Sequence, residues 1–243
     1  MERVAIFGAT SGIARAVAKR LMKDGEELLL IGRSRQGLLD LAIELEKTLG
    51  HTAPVLVWDV LDFAGHAGHF QEMVKTHSLK GIFFAAGVQV PQEECDRDTQ
   101  KTRLTLDTNL TGPAMILGLF AEYFKNKGAG FISCVSSVAG DRGRGKVLAY
   151  AASKAGLSAY LGGLRHRLAH TSVFIQTIKP GFVQTRMVGN MKSPLMATPE
   201  RVADEIVKSL RARREVVYTP FFWRYIMAII KAMPEPLFRR MKF

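Results

Sequence analysis

Cysteine is scarce in this chain: Cys95 and Cys134 are the two among 243 residues. A disulfide-stapled framework is thereby excluded, and a reducing compartment, the cytoplasm, is expected. Long apolar runs are also missing. None approaches the ~18–20 residues that cross a bilayer as a helix. The chain begins Met1-Glu2-Arg3 and enters a strand-like apolar pattern at Val4. No basic segment followed by a long apolar stretch precedes it, so no signal peptide is expected. His66 and His69, and His166 and His170, have helical spacing, but no acidic partner completes a zinc motif such as HExxH, so no metal is expected. Zinc-finger spacings, RNP-type aromatics and basic-region heptads are absent too. Nucleic acid is therefore not an expected partner, although the net charge is +12.

What is present points to a folded chain. Hydrophobic residues make up 47% and charged residues 23% of the composition, which rules out disorder as the main state. A chain of this size buries roughly 70% or more of its unfolded surface and needs no staple. The positive charge is uneven. Residues 201–243 carry ten Lys/Arg and four Asp/Glu, so half of the +12 excess lies in under a fifth of the chain.

Short apolar runs alternate with helical stripes. The pattern predicts strands at 4–7, 27–31, 54–58, 81–86, 131–135, 173–178 and 216–218. It predicts helices at 12–23, 37–49, 63–76, 102–124, 150–168 and 199–211. Gly112-Pro113 is expected to kink the longest of these. Thr198 and Pro199 mark a capped helix start. Runs that are apolar throughout and separated by helices mean a parallel sheet covered on both faces, an α/β doubly wound fold. No linker or repeat divides it, so residues 1–243 are expected to form one domain, with 220–243 as an apolar and basic extension.

Chemistry-bearing residues lie at the strand ends. Gly8-Ala9-Thr10-Ser11-Gly12-Ile13-Ala14 joins the first strand to the first helix. Gly8 permits the tight turn, Gly12 lets backbone N–H groups approach a pyrophosphate, and the helix N-terminus supplies partial positive charge. After the second strand stands Gly32-Arg33-Ser34-Arg35. An acid here would hold a ribose 2′-hydroxyl, whereas Arg33 suits a 2′-phosphate, which implies NADP(H). Tyr150 and Lys154 are four apart on a predicted helix and share a face. A neighbouring ammonium favours the phenolate, so the pair is expected to trade a proton with a carbonyl or alcohol oxygen near neutrality. Ser137 follows the fifth strand and is placed to hydrogen-bond that oxygen.

Together these residues resemble the short-chain dehydrogenase/reductase family from Val4 to about Thr185. The resemblance implies a single Rossmann domain with a seven-stranded parallel sheet. It implies Gly8, Thr10, Ser11, Gly12 and Ile13 at the cofactor phosphates, and Asp59 and Val60 beside the adenine. Ala86 and Gly87 would line the cofactor after the fourth strand. Asn109 would support a proton-relay water and the lysine, beside the catalytic residues Ser137, Tyr150 and Lys154. Lys154 would also hold the nicotinamide ribose, and Pro180, Gly181, Val183 and Thr185 would close over the nicotinamide. A homodimer or homotetramer is implied, paired through the small residues Ala151, Ala152, Ala155, Gly156, Ala159, Gly162 and Gly163. Three positions depart from the pattern: Phe7 before Gly8, Ala14 in place of a third glycine, and Ala85-Ala86-Gly87 where Asn-Ala-Gly is usual. The last removes one side-chain bridge between strands.

The substrate is less legible. Arg142, Arg144 and Lys146 lie between Ser137 and Tyr150 and suit an anionic substrate group, or else a solvated loop or a subunit contact. That stretch and the tail also resemble bacterial reductases of decaprenylphosphoryl keto-pentose, implying a lipid-linked or phosphorylated keto-sugar. A soluble fatty-acyl or polycyclic ketone is the alternative. Residues 221–233 carry two charges, Arg224 and Lys231, on an apolar helix of ~20 Å, too short to span a bilayer. This helix packs into the domain or a subunit interface, or it lies in the inner membrane surface with Trp223, Arg239, Arg240 and Lys242 near headgroups. The latter arrangement leaves open a non-catalytic, membrane-peripheral NADP-binding protein.

Overall fold

The structure is a computed structural model that describes residues 2–189 and 193–241. Lys242, and Phe243 at the end of the expected extension, lie outside the described residues. Strands β1 (Arg3–Phe7), β2 (Glu27–Gly32), β3 (Val55–Val57), β4 (Leu79–Phe84), β5 (Gly130–Val135), β6 (Val173–Pro180) and β7 (Val216–Thr219) pair in parallel in the order β3-β2-β1-β4-β5-β6-β7. The fold expected from the sequence is therefore the fold observed.

Strand periodicity explains the two layers that cover the sheet. Val4, Ile6, Leu28 and Leu30 point to one face, where they pack with α1 (Gly12–Lys23), α2 (Arg35–Leu49) and α8 (Pro199–Arg211). Ala5, Phe7, Leu29 and Ile31 point to the other, with α3 (His66–Thr76), α6 (Gly112–Lys127) and α7 (Leu148–Arg167). Successive residues serve opposite cores because side chains alternate along a strand. Ser11, Ser34 and Thr198 cap the helices of the first layer, each accepting from a backbone N–H three residues on, at 3.3, 3.2 and 3.3 Å.

The chain leaves β1 toward β2 and β3, then returns to β4 on the other side. This reversal opens a crevice at the carboxyl ends of β1 and β4, the place where doubly wound sheets bind ligands. The missing asparagine at Ala85 leaves this centre intact. The Ala85 N–H donates to the Phe7 carbonyl at 2.9 Å, and β4 runs in unbroken register with β1 from Val4 to Phe7 and with β5 from Gly81 to Phe84.

The helix expected over 102–124 is broken into α5 (Thr99–Leu106), a π-helical turn (Asp107–Thr111) and α6. Pro113 has no N–H to give the Asn109 carbonyl, and the Gly112 N–H reaches back to Asp107 instead. A short helix without a sequence signal, α4 (Gln92–Arg97), precedes α5.

The tail forms α9 (Trp223–Ala232) and α10 (Glu235–Phe238). Trp223 and Met227 face inward and pack with Val138 and Phe182 in a small third core. Phe221, Tyr225 and Ile229 face outward, 64%, 65% and 67% exposed. Arg142 fastens this tail to the domain. Its guanidinium donates to the carbonyls of Ile230 (2.6 Å) and Met233, pairs with Glu235 at 2.8 Å and covers the Phe238 ring at 3.9 Å.

Candidate active site

Helix α7 presents Tyr150 and Lys154 one turn apart, both turned inward, with 9% and 3% of their surface exposed. The Lys154 ammonium donates to the Val135 carbonyl at 3.1 Å and lies 5.9 Å from the centroid of the Tyr150 ring. Ser137 ends the turn after β5. Its hydroxyl accepts from the Ala139 N–H at 3.0 Å and lies near enough to the Tyr150 phenol to favour its ionised form. Asn109 sits in the π-helical turn, wholly buried. Its Oδ1 accepts from the Val88 N–H, and its Nδ2 donates to the Val88 carbonyl, both at 2.8 Å. A Cβ on Gly87 would stand 3.0 Å from Asn109 Oδ1 and 3.4 Å from Lys154 Nζ, so these three residues meet at one point.

A supporting layer went unread in the sequence. Asn109 Nδ2 also donates to Ser153 Oγ at 3.2 Å. The Ser136 hydroxyl donates to the Lys154 carbonyl at 2.9 Å and bonds the Ser158 hydroxyl at 2.7 Å. These serines lock α7 to β5 and to the π turn. Serine is common on surface helices, so no local signal marks them.

Burial governs the ionisation of the site. It pulls the Lys154 ammonium down to about 8, with the neighbouring Cys134 opposing. It pushes the Cys134 thiol up to about 12, so this cysteine stays protonated beside the lysine. It also raises the Tyr150 phenol, opposed by the Ser137 hydroxyl and the Arg144 charge. The sequence predicts a phenol lowered by Lys154. Instead desolvation dominates, because both groups lie away from water and the ammonium stands over the ring face.

The remaining candidates line the same sheet edge. Gly8 has φ +75°, and a Cβ there would meet the Ala86 backbone nitrogen at 2.6 Å, so the turn lies directly on residues 85–87. Thr185 crosses above Gly12, where its methyl would be 2.8 Å from an added Cβ. Ile13 and Ala86 are half-buried, while Thr10 is exposed with its methyl near Gly37, at the start of α2. Asp59 follows β3 and its side chain accepts from the Leu61 N–H at 3.0 Å, while Val60 is buried. Pro180 ends β6, the Trp223 indole lies against Gly181, and buried Val183 bridges to Ala197. Arg33 and Arg35 are exposed and enter no ion pair among the described residues. The first turn of α1 holds no acid. An open helix N-terminus, a cradle that rejects side chains and unpaired guanidinium groups beside it fit a dinucleotide with an extra phosphate.

Lys154 supplies a test of this electrostatic picture. Its folded pKa, about 8, lies below the ordinary lysine value of 10.5, so the unfolded chain binds more protons between those limits. Stability contributed at this position must therefore rise as pH climbs from about 8 to 10.5, by about 3 kcal/mol in all. Denaturant unfolding should show the wild type gaining that much on Lys154→Met across this window. A difference that stays constant with pH would contradict the desolvated ammonium.

Comparison with known proteins identifies the family. Residues 2–195 match the profile of the short chain dehydrogenases. An uncharacterized oxidoreductase of Mycobacterium tuberculosis is 30% identical over 240 residues, covering 98% of this chain and 96% of its own. A short-chain dehydrogenase from Sphingobium yanoikuyae, solved in complex with NADPH, superposes with a TM-score of 0.85 at 21% identity, covering 100% and 97% of the two chains. Another from Burkholderia cenocepacia, in complex with NADP, gives 0.83 at 20% identity, covering 100% and 98%. With that match over most of its length, the chain belongs to the short-chain dehydrogenase family.

Proposed function

We propose that the protein is an NADPH-dependent oxidoreductase that reduces a ketone to a secondary alcohol, reversibly. Ketone, NADPH and one proton give alcohol and NADP. The observation that carries this reading is the meeting of Asn109, Ser137, Tyr150 and Lys154 at the mouth of the crevice, with unpaired Arg33 at its far end. Two solved neighbours of the same fold hold NADPH or NADP. In this chain Gly8, Thr10, Ser11, Gly12 and Ile13 would hold the phosphates, and Arg33 the 2′-phosphate. Asp59 and Val60 would flank the adenine. Ala86, Gly87, Lys154, Pro180, Gly181, Val183 and Thr185 would hold the nicotinamide end.

NADPH, when bound, supplies the hydride for the carbonyl carbon. Tyr150 gives its proton to the oxygen as negative charge develops there. Ser137 donates a hydrogen bond to that oxygen and steadies it before the reaction begins. Lys154 keeps a positive charge beside the phenol, lowering the cost of the phenolate left behind. Asn109 fixes the Val88 backbone and borders the lysine, so proton replacement follows a defined route.

The apolar wall of Val138, Phe182, Trp223 and Met227 next to Ser137 supports a large ketone, a lipid-linked or phosphorylated keto-sugar, over a small polar one. A soluble fatty-acyl or polycyclic ketone fits the same wall. Exposed Ala152, Ala155, Ala159 and Gly163 on α7 support pairing as a homodimer or homotetramer.

A second reading concerns location. Among the described residues no helix is long and apolar enough to cross a membrane. The outward stripe of Phe221, Tyr225 and Ile229, with exposed Arg224, Lys231, Arg239 and Arg240 beside it, supports a cytoplasmic enzyme resting on the inner membrane surface.

Three measurements test these statements. Tyr150→Phe should cut ketone turnover by about 10²–10⁴ while leaving NADPH affinity within about twofold. Unchanged turnover would sink the Tyr150 mechanism, whereas NADPH binding with no turnover by the wild type would favour the non-catalytic, NADP-binding alternative. Arg33→Asp should weaken NADPH and improve NADH in calorimetric titration, and an unaltered preference would remove the 2′-phosphate assignment. The protein should float with anionic liposomes, and replacing Phe221, Tyr225 and Ile229 by serine should abolish this. Equal flotation of both forms would end the membrane reading.

A further inference from the structure

The loop between Ser137 and Tyr150 carries four charged side chains, Asp141, Arg142, Arg144 and Lys146. Their surroundings separate them. Asp141 is committed to the frame: it pairs with Lys179 and accepts from the Tyr218 hydroxyl at 2.7 Å. Arg142 is spent on the tail, as described above. Lys146 is exposed in a short 3-10 turn (Gly145–Val147) and points to solvent. Arg144 alone has no assignment. It enters no ion pair among the described residues, and its Nε is buried without a hydrogen-bond partner.

The position of Arg144 is fixed from both sides. Asp141 and Arg142 anchor the chain before it, and the Val147 N–H closes a turn on its carbonyl at 3.1 Å. The Ala149 N–H, one residue before Tyr150, donates to the Gln92 side chain at 3.1 Å. Its guanidinium is half-buried and close enough to Tyr150 for each to shift the other's ionisation. A buried guanidinium donor without an acceptor is costly unless something completes it. Guanidinium is always charged and offers its donors in a fork that matches a carboxylate or phosphate.

We propose that Arg144 is the receptor for a carboxylate or phosphate group on the substrate, so that the physiological ketone is an anion. This rests on the reductase reading and narrows it. The acidic group lies on the Arg144 side of the carbonyl, because Arg144 is near enough to Tyr150 to act on its charge. The apolar wall formed by Trp223 and Phe182 then takes the remainder of the molecule.

The test uses matched ketones that differ in charge: 3-oxohexanoate with its methyl ester, and dihydroxyacetone phosphate with dihydroxyacetone. NADPH oxidation is followed for wild type, Arg144→Met and Arg144→Lys, with thermal unfolding as the control for folding. The wild type should prefer the anion of at least one pair by ten- to a hundredfold in kcat/KM, as expected for a charged hydrogen bond of about 1.5–3 kcal/mol. Which pair responds separates carboxylate from phosphate. Arg144→Met should lose that preference by failing on the anion alone, and Arg144→Lys should keep part of it. Equal loss on both members of a pair, with a shifted pH profile, would show that Arg144 acts on Tyr150 and would overturn the proposal. So would a wild type indifferent to charge. Should no ketone be reduced, the reductase reading fails, and calorimetry with 3-hydroxybutyrate and its methyl ester decides this one separately. Binding of the acid alone, lost in Arg144→Met, sustains the receptor; equal binding of acid and ester, or none, overturns it.

Discussion

One ammonium group withdrawn from water organises the centre of this molecule. Lys154 lies on α7 with 3% of its surface exposed, and burial alone brings its proton affinity down to about 8. A charge in such a place demands close polar neighbours. The Val135 carbonyl, the space beside Gly87 and the amide of Asn109 are those neighbours, and they come from three separate segments. The end of β5, the turn after β4 and the π turn before α6 must all converge for the lysine to be tolerated. Their convergence is what sets Ser137 and Tyr150 against each other.

The π turn shows how a backbone irregularity serves this arrangement. Pro113 cannot offer an N–H to Asn109, so the helix widens into a π turn there, and the Asn109 side chain is free to hold the Val88 backbone at both its donor and its acceptor. Ser136, Ser153 and Ser158 complete the frame by fixing the lysine carbonyl and the asparagine amide. Thr108 Oγ1 in this turn and the guanidinium Nε of Arg144, a few residues from Tyr150, are buried without a hydrogen-bond partner.

The C-terminal helices tie the site to the surface. The inner face of α9 supplies Trp223 to the wall beside Gly181, and its outer face carries exposed Tyr225 and Ile229, with Phe221 just before the helix. Arg142 joins the two functions, since the loop that positions the site also holds the tail by its carbonyls. A substrate entering beside Val138 would pass under a helix that presents apolar surface outward.

The sequence by itself determined the sheet, most of the covering helices and the choice of candidate site residues. Those signals are local: alternating and 3.6-residue periods, a glycine turn at a strand–helix junction, a tyrosine and a lysine one turn apart, and an arginine after β2 where an acid would select NAD. Helices α1 and α8 begin and end where their spacing and caps predict. Only the tertiary structure decided how Arg142, Arg144 and Lys146 divide their work, because the partners of Arg142 lie 88 to 93 residues away. It also decided that Tyr150 is raised, since desolvation depends on everything packed around the phenol and not on its neighbour four residues on. The two faces of the tail were settled in the same way. An apolar run states that surface must be covered, and the fold alone states which half of it the protein covers.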